Sequence, residues 1–256
     1  MRLTRSIVPN LFTIMNAYMG FSAIIFISQG KLQLAGMFIL GAALFDALDG
    51  AIARLLKATS ELGAELDSLC DAISFGVAPA FMLYASFFHQ LDDIGILLSS
   101  LPALAGVTRL ARFNSMLTSF EDKLYFTGLP IPGGALSILS FVIFFKSTSY
   151  YPAGYELPMF ISVTLIVSYA MISTIKFDNM PRFSKKYIKD KPIVFSIFIV
   201  GIVISLISKG GLLFPFMMFY IIASGIRHFI KWIKATIDAD DEIDEGDNSK
   251  DFTYLD

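Results

Sequence analysis

The sequence predicts an all-α fold: a polytopic transmembrane helical bundle of about eight spans, six forming a core and two following it. Three observations carry this prediction. Of 256 residues, 55% are hydrophobic and only 16% are charged, against about a quarter charged in soluble domains. Apolar runs of about 17–25 residues recur along the chain, each long enough to cross a hydrocarbon core of roughly 30 Å. No strand-like alternation and no internal repeat interrupts them.

The first span is expected at about 10–29, led in by a short amphipathic stretch with Arg2 and Arg5 at the headgroups. No small-residue cleavage site follows a short apolar core there, so a removable signal peptide is not expected. The second span, about 32–56, ends at Arg54 and Lys57, and the third follows at about 62–88. The fourth, about 93–115, carries Arg109 and Arg112 toward its end. Gly128, Pro130 and Pro132 punctuate the entry to the fifth, about 131–147. The sixth is expected at about 156–176, the seventh at about 192–208 and the eighth at about 212–234. Residues 238–256 are strongly acidic and lack a core-forming pattern, so a disordered tail is expected.

Basic residues set the orientation. Arg2, Arg5, Arg54, Lys57, Arg109, Arg112, Lys123, the Lys185–Lys191 stretch, Arg227, Lys231 and Lys234 fall on one side if there are eight spans. Both termini are then cytoplasmic. Lys185, Lys186, Lys189 and Lys191 read as a contact with anionic lipid, and His228 with Trp232 as interfacial anchoring. One cysteine, Cys70, excludes an internal disulfide framework, and two distant histidines, His89 and His228, argue against a histidine metal site.

Within these apolar segments sit four aspartates, Asp46, Asp49, Asp67 and Asp71. A carboxylate at the centre of a span costs roughly 2.5–3.5 kcal/mol on insertion scales. Asp46, Asp49, Gly50 and Ala53 share one helix face by their spacing of three, four and seven, and Gly63, Asp67 and Asp71 share another by repeating every four. Two such faces opposed would form one acidic pocket, with the small residues leaving room for a ligand. Unmetallated carboxylates about 5 Å apart repel by about 3 kcal/mol at an effective dielectric near 20. Divalent cations favour oxygen ligands, and two of them would cancel four negative charges and attract a phosphate. Arg54 and Lys57, at the cytoplasmic end of the face, could neutralise that phosphate. The bland alternative is that the acids form structural salt bridges with Arg54, Lys57, Arg109 and Arg112, or cap helices. A rival from another class is a cation transporter. It is disfavoured because the acids occupy one segment without a second copy.

The pattern D-x2-D-G-x2-A-R-x8-G-x3-D-x3-D, read from Asp46 to Asp71, resembles the signature of the CDP-alcohol phosphatidyltransferase family at every fixed position. The resemblance covers about residues 8–176, and Arg109–Asn114 (RLARFN) with Tyr125–Gly134 resembles the family's membrane-integral, serine-accepting branch. It implies a catalytic core over 1–176, two additional transmembrane helices over 177–237 and the acidic tail over 238–256. It implies transfer of a phosphatidyl group from CDP-diacylglycerol to L-serine, with release of CMP. The alternative within the family is glycerol 3-phosphate or an inositol compound as acceptor. It implies two divalent ions, Mg²⁺ or Mn²⁺, held by Asp46, Asp49 and Asp67 with Asp71 contributing, and Asp71 as the catalytic base. Gly50 and Arg54 would contact the CDP moiety, while Ala53 and Gly63 would make room for it. Ser60 stands where the family often has a small hydroxyl residue. Asn10 and Thr13 belong to a PNxxT element, Pro9 to Thr13, and are implied nucleotide contacts. Arg109, Arg112 and Asn114 are the candidate acceptor contacts. The expected partners are the two substrates, membrane lipids and a second copy of the chain; nucleic acid is not among them. The expected location is a bacterial or archaeal cytoplasmic membrane, with the active site facing the cytoplasm.

Overall fold

A computed structural model of the chain describes residues 2–56, 60–117, 128–145, 154–175, 177, 201, 207–208 and 210–248. Every regular element among them is helical. In chain order these are α1 (Arg2–Ser28), α2 (Leu32–Leu56), α3 (Glu61–Asp71), α4 (Ala78–Ser86), α5 (Asp92–Leu117), α6 (Ile131–Ser140), α7 (Glu156–Ile172) and α8 (Leu213–Asn248). Five helical stretches are long and apolar enough to cross a membrane: Ile7–Ser28, Leu32–Leu56, Glu61–Ser86, Phe88–Ser115 and Leu213–Ile233. Ile131–Phe144 and Glu156–Ile172 are shorter apolar helices. The protein is therefore an integral membrane helical bundle. The expected seventh span lies largely outside the described residues, as do Lys57, Lys123 and the Lys185–Lys191 stretch.

Three differences from the sequence expectation concern continuity. The lead-in before the first span is continuous with it, because α1 begins at Arg2. The last helix runs on to Asn248, into the stretch that composition marks as lacking a core-forming pattern; extending a helix already nucleated adds one bond per residue, whereas starting one does not. The third rod is not a uniform α-helix. Between α3 and α4, Ala72–Val77 forms a π-turn, and the Ala78 N–H returns to the Ile73 carbonyl. Pro79 follows immediately and has no N–H to give to Phe75, so the regular α ladder cannot pass through this point unchanged.

Helices α1 and α2 form a hairpin closed at Gly30, whose φ of 75° is left-handed. The Gly30 N–H bonds the Ile27 carbonyl and the Lys31 N–H bonds that of Phe26, each at 2.9 Å. This satisfies carbonyls the helix end would otherwise orphan. Side chains such as Tyr18, Phe21, Met37 and Leu44 point outward, as lipid-facing positions should. Aromatic rings meet at the far end of the bundle. Phe160 of α7 stacks on Phe87 with centroids 4.7 Å apart and meets Phe141 edge-on at 4.8 Å, and Phe141 meets Phe214 of α8 at 5.0 Å. This cluster lies past the far end of α4, about 24 Å along the rod from Asp71 at 1.5 Å per residue. The buried apolar core runs from this cluster through Met82 and Ala78 to Phe75, one turn past Asp71, so the site stands at one end of it.

Candidate functional site

Three helices build the site. The second half of α2 supplies Asp46, Asp49, Gly50 and Ala53, α3 supplies Gly63, Asp67 and Asp71, and α1 supplies Asn10, Thr13 and Asn16. The helix α3 starts where it does because Ser60 caps it. Its backbone is extended (φ −141°, ψ 152°), and its Oγ accepts from the Gly63 N–H at 3.1 Å. That cap is one of the four orphan donors satisfied, and it fixes the height at which Asp67 and Asp71 stand.

One carboxylate oxygen each from Asp46, Asp49 and Asp67 lies within 4.8 Å of the others. Asp49 is buried, the other two partly so. Among the described residues, Asp49 Oδ2 and Asp67 Oδ1 are buried without a hydrogen-bond partner, so no described basic residue pairs with those oxygens. Acceptor-only oxygens, converging and unpaired, suit a hard divalent cation, so the donor set fits the metal that the sequence implied. Asp71 is not one of the three. It stands one turn further along α3, buried, and its Oδ1 accepts from Asn16 Nδ2 at 2.9 Å.

Beside the carboxylates opens a cavity of about 160 Å³ lined by Pro9, Asn10, Thr13, Asp49, Gly50, Ala53, Ser60, Gly63, Ala64 and Asp67. The six small or polar residues singled out in the sequence as nucleotide contacts all lie on it. The glycines keep it open: a Cβ on Gly63 would stand 3.0 Å from Ser60 Oγ and 3.4 Å from Asn10 Oδ1. Arg54 is exposed, and its guanidinium lies along Gly50, with a nitrogen 3.7 Å from where a Cβ there would be.

The three candidate acceptor residues separate. Arg109 is buried, 7% exposed, and its Nε has no hydrogen-bond partner among the described residues. Arg112 is committed to α7: its guanidinium donates to the Ile172 carbonyl at 2.8 Å and to the Ser173 carbonyl at 3.2 Å, covering a helix C-terminus. Gly128, with φ 82°, packs beside this guanidinium, and a Cβ there would stand 3.0 Å from it. Asn114 donates to Ser68 Oγ at 3.0 Å and ties α5 to α3. Sequence reasoning missed Asn16, which is fully buried. The signal was present: Asn10, Thr13 and Asn16 recur every three residues on one face of an otherwise apolar helix.

A helical membrane bundle with converging carboxylates beside a small-residue cleft is the architecture of one class of lipid enzyme, and the chain belongs to it. It is a member of the CDP-alcohol phosphatidyltransferase family, whose model matches residues 6–237. It is similar to the CDP-diacylglycerol–serine O-phosphatidyltransferase of Helicobacter pylori, 33% identical over 174 residues, covering 68% of this chain and 73% of that one. It is similar also to the protein of that name from Bacillus subtilis, 35% identical over 181 residues and covering 70% and 92%. The archaetidylserine synthase of Methanothermobacter thermautotrophicus is 38% identical over 174 residues, covering 67% and 70%.

Proposed function

We propose that the chain transfers a phosphatidyl group from CDP-diacylglycerol to the hydroxyl of L-serine, giving phosphatidylserine and CMP. The observation that carries this reading is the convergence of three carboxylates, two of them with an unpartnered buried oxygen, beside a cleft lined by the residues the family motif marks for the nucleotide. The names of the similar proteins support serine as the acceptor.

Asp46, Asp49 and Asp67, with Asp71 contributing, would hold two divalent ions, Mg²⁺ or Mn²⁺. When bound, these supply Lewis acidity and neutralise charge on the donor's diphosphate. The chain's own residues do the rest. Asn10, Thr13, Ser60 and the Gly50 backbone hold the cytidine monophosphate moiety, and Arg54 offers its guanidinium to a phosphate. Ala53 and Gly63 leave the space. Asp71 accepts the proton of the serine hydroxyl as its oxygen bonds to the phosphorus that bears diacylglycerol. The bond from that phosphorus to the CMP oxygen breaks, and CMP leaves with the electron pair. Arg109 receives the serine carboxylate. Arg112 and Asn114 act further back, by holding α7 and α3 against α5.

The same reading places eight spans in a bacterial or archaeal cytoplasmic membrane, with both termini and the site on the cytoplasmic side. It takes 1–176 as the catalytic core and 177–237 as additional helices, and it has the chain working as a homodimer. The deciding experiment is an acceptor swap with labelled CDP-diacylglycerol. CMP release is expected with L-serine and little with glycerol 3-phosphate, inositol or inositol phosphate. Preference for any of the latter overturns serine while leaving the family intact.

A further inference from the structure

Two buried side-chain atoms, one on Asn16, which bonds Asp71, and one on Arg109 of α5, which packs against the π-turn that follows Asp71, have no hydrogen-bond partner among the described residues, and they are opposite in kind. Asn16 donates through Nδ2 to Asp71 Oδ1. As the base of the reaction proposed above Asp71 is ionised, and a carboxylate oxygen accepts, so the NH₂ end of the Asn16 amide faces it. Its Oδ1 is then an acceptor, fully buried and without a donor. Arg109 Nε–H is a donor, buried and without an acceptor. Other buried hydroxyls are paired: Ser74 Oγ donates to the Asn16 carbonyl at 2.9 Å, and Ser137 and Thr164 bond within their helices. The further unpartnered buried side-chain atoms among the described residues are Asp49 Oδ2 and Asp67 Oδ1 of the carboxylate cluster and Ser224 Oγ. An unsatisfied buried group costs about 1–3 kcal/mol, more when charged. Two such groups of complementary type, one on the residue that bonds Asp71 and one on the neighbouring helix, suit a ligand that carries both a donor cation and an acceptor anion.

Resting on the serine reading, we infer that Asn16 is a specificity-determining residue whose side-chain carbonyl receives the ammonium of the acceptor amino acid. Arg109 takes the carboxylate of the same molecule, and Asp71, which Asn16 holds, faces its hydroxyl. An ammonium has three donors and no acceptor, so it matches a lone carbonyl oxygen. A phosphorylated or cyclic polyol has no such group and would leave Asn16 Oδ1 unpaired. The residue thereby selects amino-acid acceptors over polyols. Its two amide ends have separate duties, the oxygen in binding and the nitrogen in orienting Asp71.

The test uses the purified full chain with CDP-diacylglycerol. It reads the serine KM and kcat together with inhibition by two fragments, 3-hydroxypropanoate, which lacks the ammonium, and ethanolamine, which lacks the carboxylate. In Asn16→Ala, serine and ethanolamine should weaken about tenfold or more, the loss of one bond to a charged group. 3-Hydroxypropanoate should change less than about threefold. Arg109→Gln should reverse the pattern, weakening serine and 3-hydroxypropanoate and sparing ethanolamine. Parallel weakening of both fragments by Asn16→Ala, or no effect on serine, overturns the inference. Should the alanine variant fail to fold, Asn16→Leu decides: it keeps the side-chain shape and removes both amide ends, so serine and ethanolamine should weaken about tenfold or more while 3-hydroxypropanoate changes less than about threefold; parallel weakening of both fragments overturns the inference. Failure of the wild-type chain to use serine sinks the function proposed above instead, so the two failures are distinguishable.

Discussion

Gly20 is the position where one added methyl group should be felt furthest. It lies one turn beyond Asn16 on α1, against the π-turn that follows Asp71. A Cβ at Gly20 would stand 2.7 Å from Ser74 Cα and 2.8 Å from Ser74 Cβ. Carbon atoms pack at about 3.5–4.0 Å, so α1 and the π-turn must part by roughly 0.7–1 Å. The obstacle is backbone and cannot rotate away. Overpacking of this kind costs about 1–3 kcal/mol. The same displacement stretches the Ser74 Oγ bond to the Asn16 carbonyl and the Asn16 bond to Asp71, each 2.9 Å. A misplacement near 1 Å at a reacting group can cost on the order of a hundredfold in rate. Gly41 provides the matched control, since a Cβ there would meet only Met19 Sδ at 3.6 Å and Cε at 3.8 Å, ordinary contact. Both substitutions replace glycine by alanine inside an apolar helix and gain the same helix propensity. The assay is CMP release and thermal unfolding in detergent. Gly20→Ala should melt several degrees below Gly41→Ala, at about 2–4 °C per kcal/mol for a chain of this size, with turnover down tenfold or more. Equal melting and equal turnover would refute the packing argument and the link from α1 to Asp71.

Three further outcomes follow from the same geometry. Ser60→Ala should cost about 1 kcal/mol by removing the α3 cap, and Ser60→Gly only a few tenths. If the hydroxyl also contacts the nucleotide, both variants should raise the KM for CDP-diacylglycerol alike, and a KM that tracks stability instead removes that contact. Arg112→Ala should lower stability by about 2 kcal/mol, because the α7 carbonyls lose charged donors, while the serine KM moves less than about threefold; a large KM effect would return Arg112 to the acceptor site. Chelation should abolish CMP release, with Mg²⁺ or Mn²⁺ restoring it. It should also lower the melting temperature, since a ligand at a hundred times its Kd stabilises by about 2.7 kcal/mol. Asp67→Asn should blunt that shift, and a melting temperature indifferent to chelator and metal would mean the carboxylates hold no ion.

What could be read from the chain follows from which contacts are local. Asp46, Asp49, Gly50 and Ala53 declare a common face through helical period alone, and so do Gly63, Asp67 and Asp71. Their approach to one another could be argued because a charged face in lipid has nowhere else to go. The recurrence of Asn10, Thr13 and Asn16 marks a polar stripe on α1, but the bond from Asn16 to Asp71 spans 55 residues, and no local pattern names the partner. Arg109 and Arg112 look alike as sequence, three residues apart on one helix. Yet one is buried with a free Nε–H and the other caps α7. Which face of α5 meets α7 depends on partners far along the chain, so the sequence alone could not divide their roles. The π-turn left a faint trace in Pro79. Its consequence is specific: the wider turn lies directly between Asp71 and the rest of the rod, and Ser74 within it bonds the backbone of the residue that holds Asp71. A regular α-helix through 72–77 would rotate Ser74 away from α1 and break that bond. The irregularity is therefore part of how Asp71 is aimed.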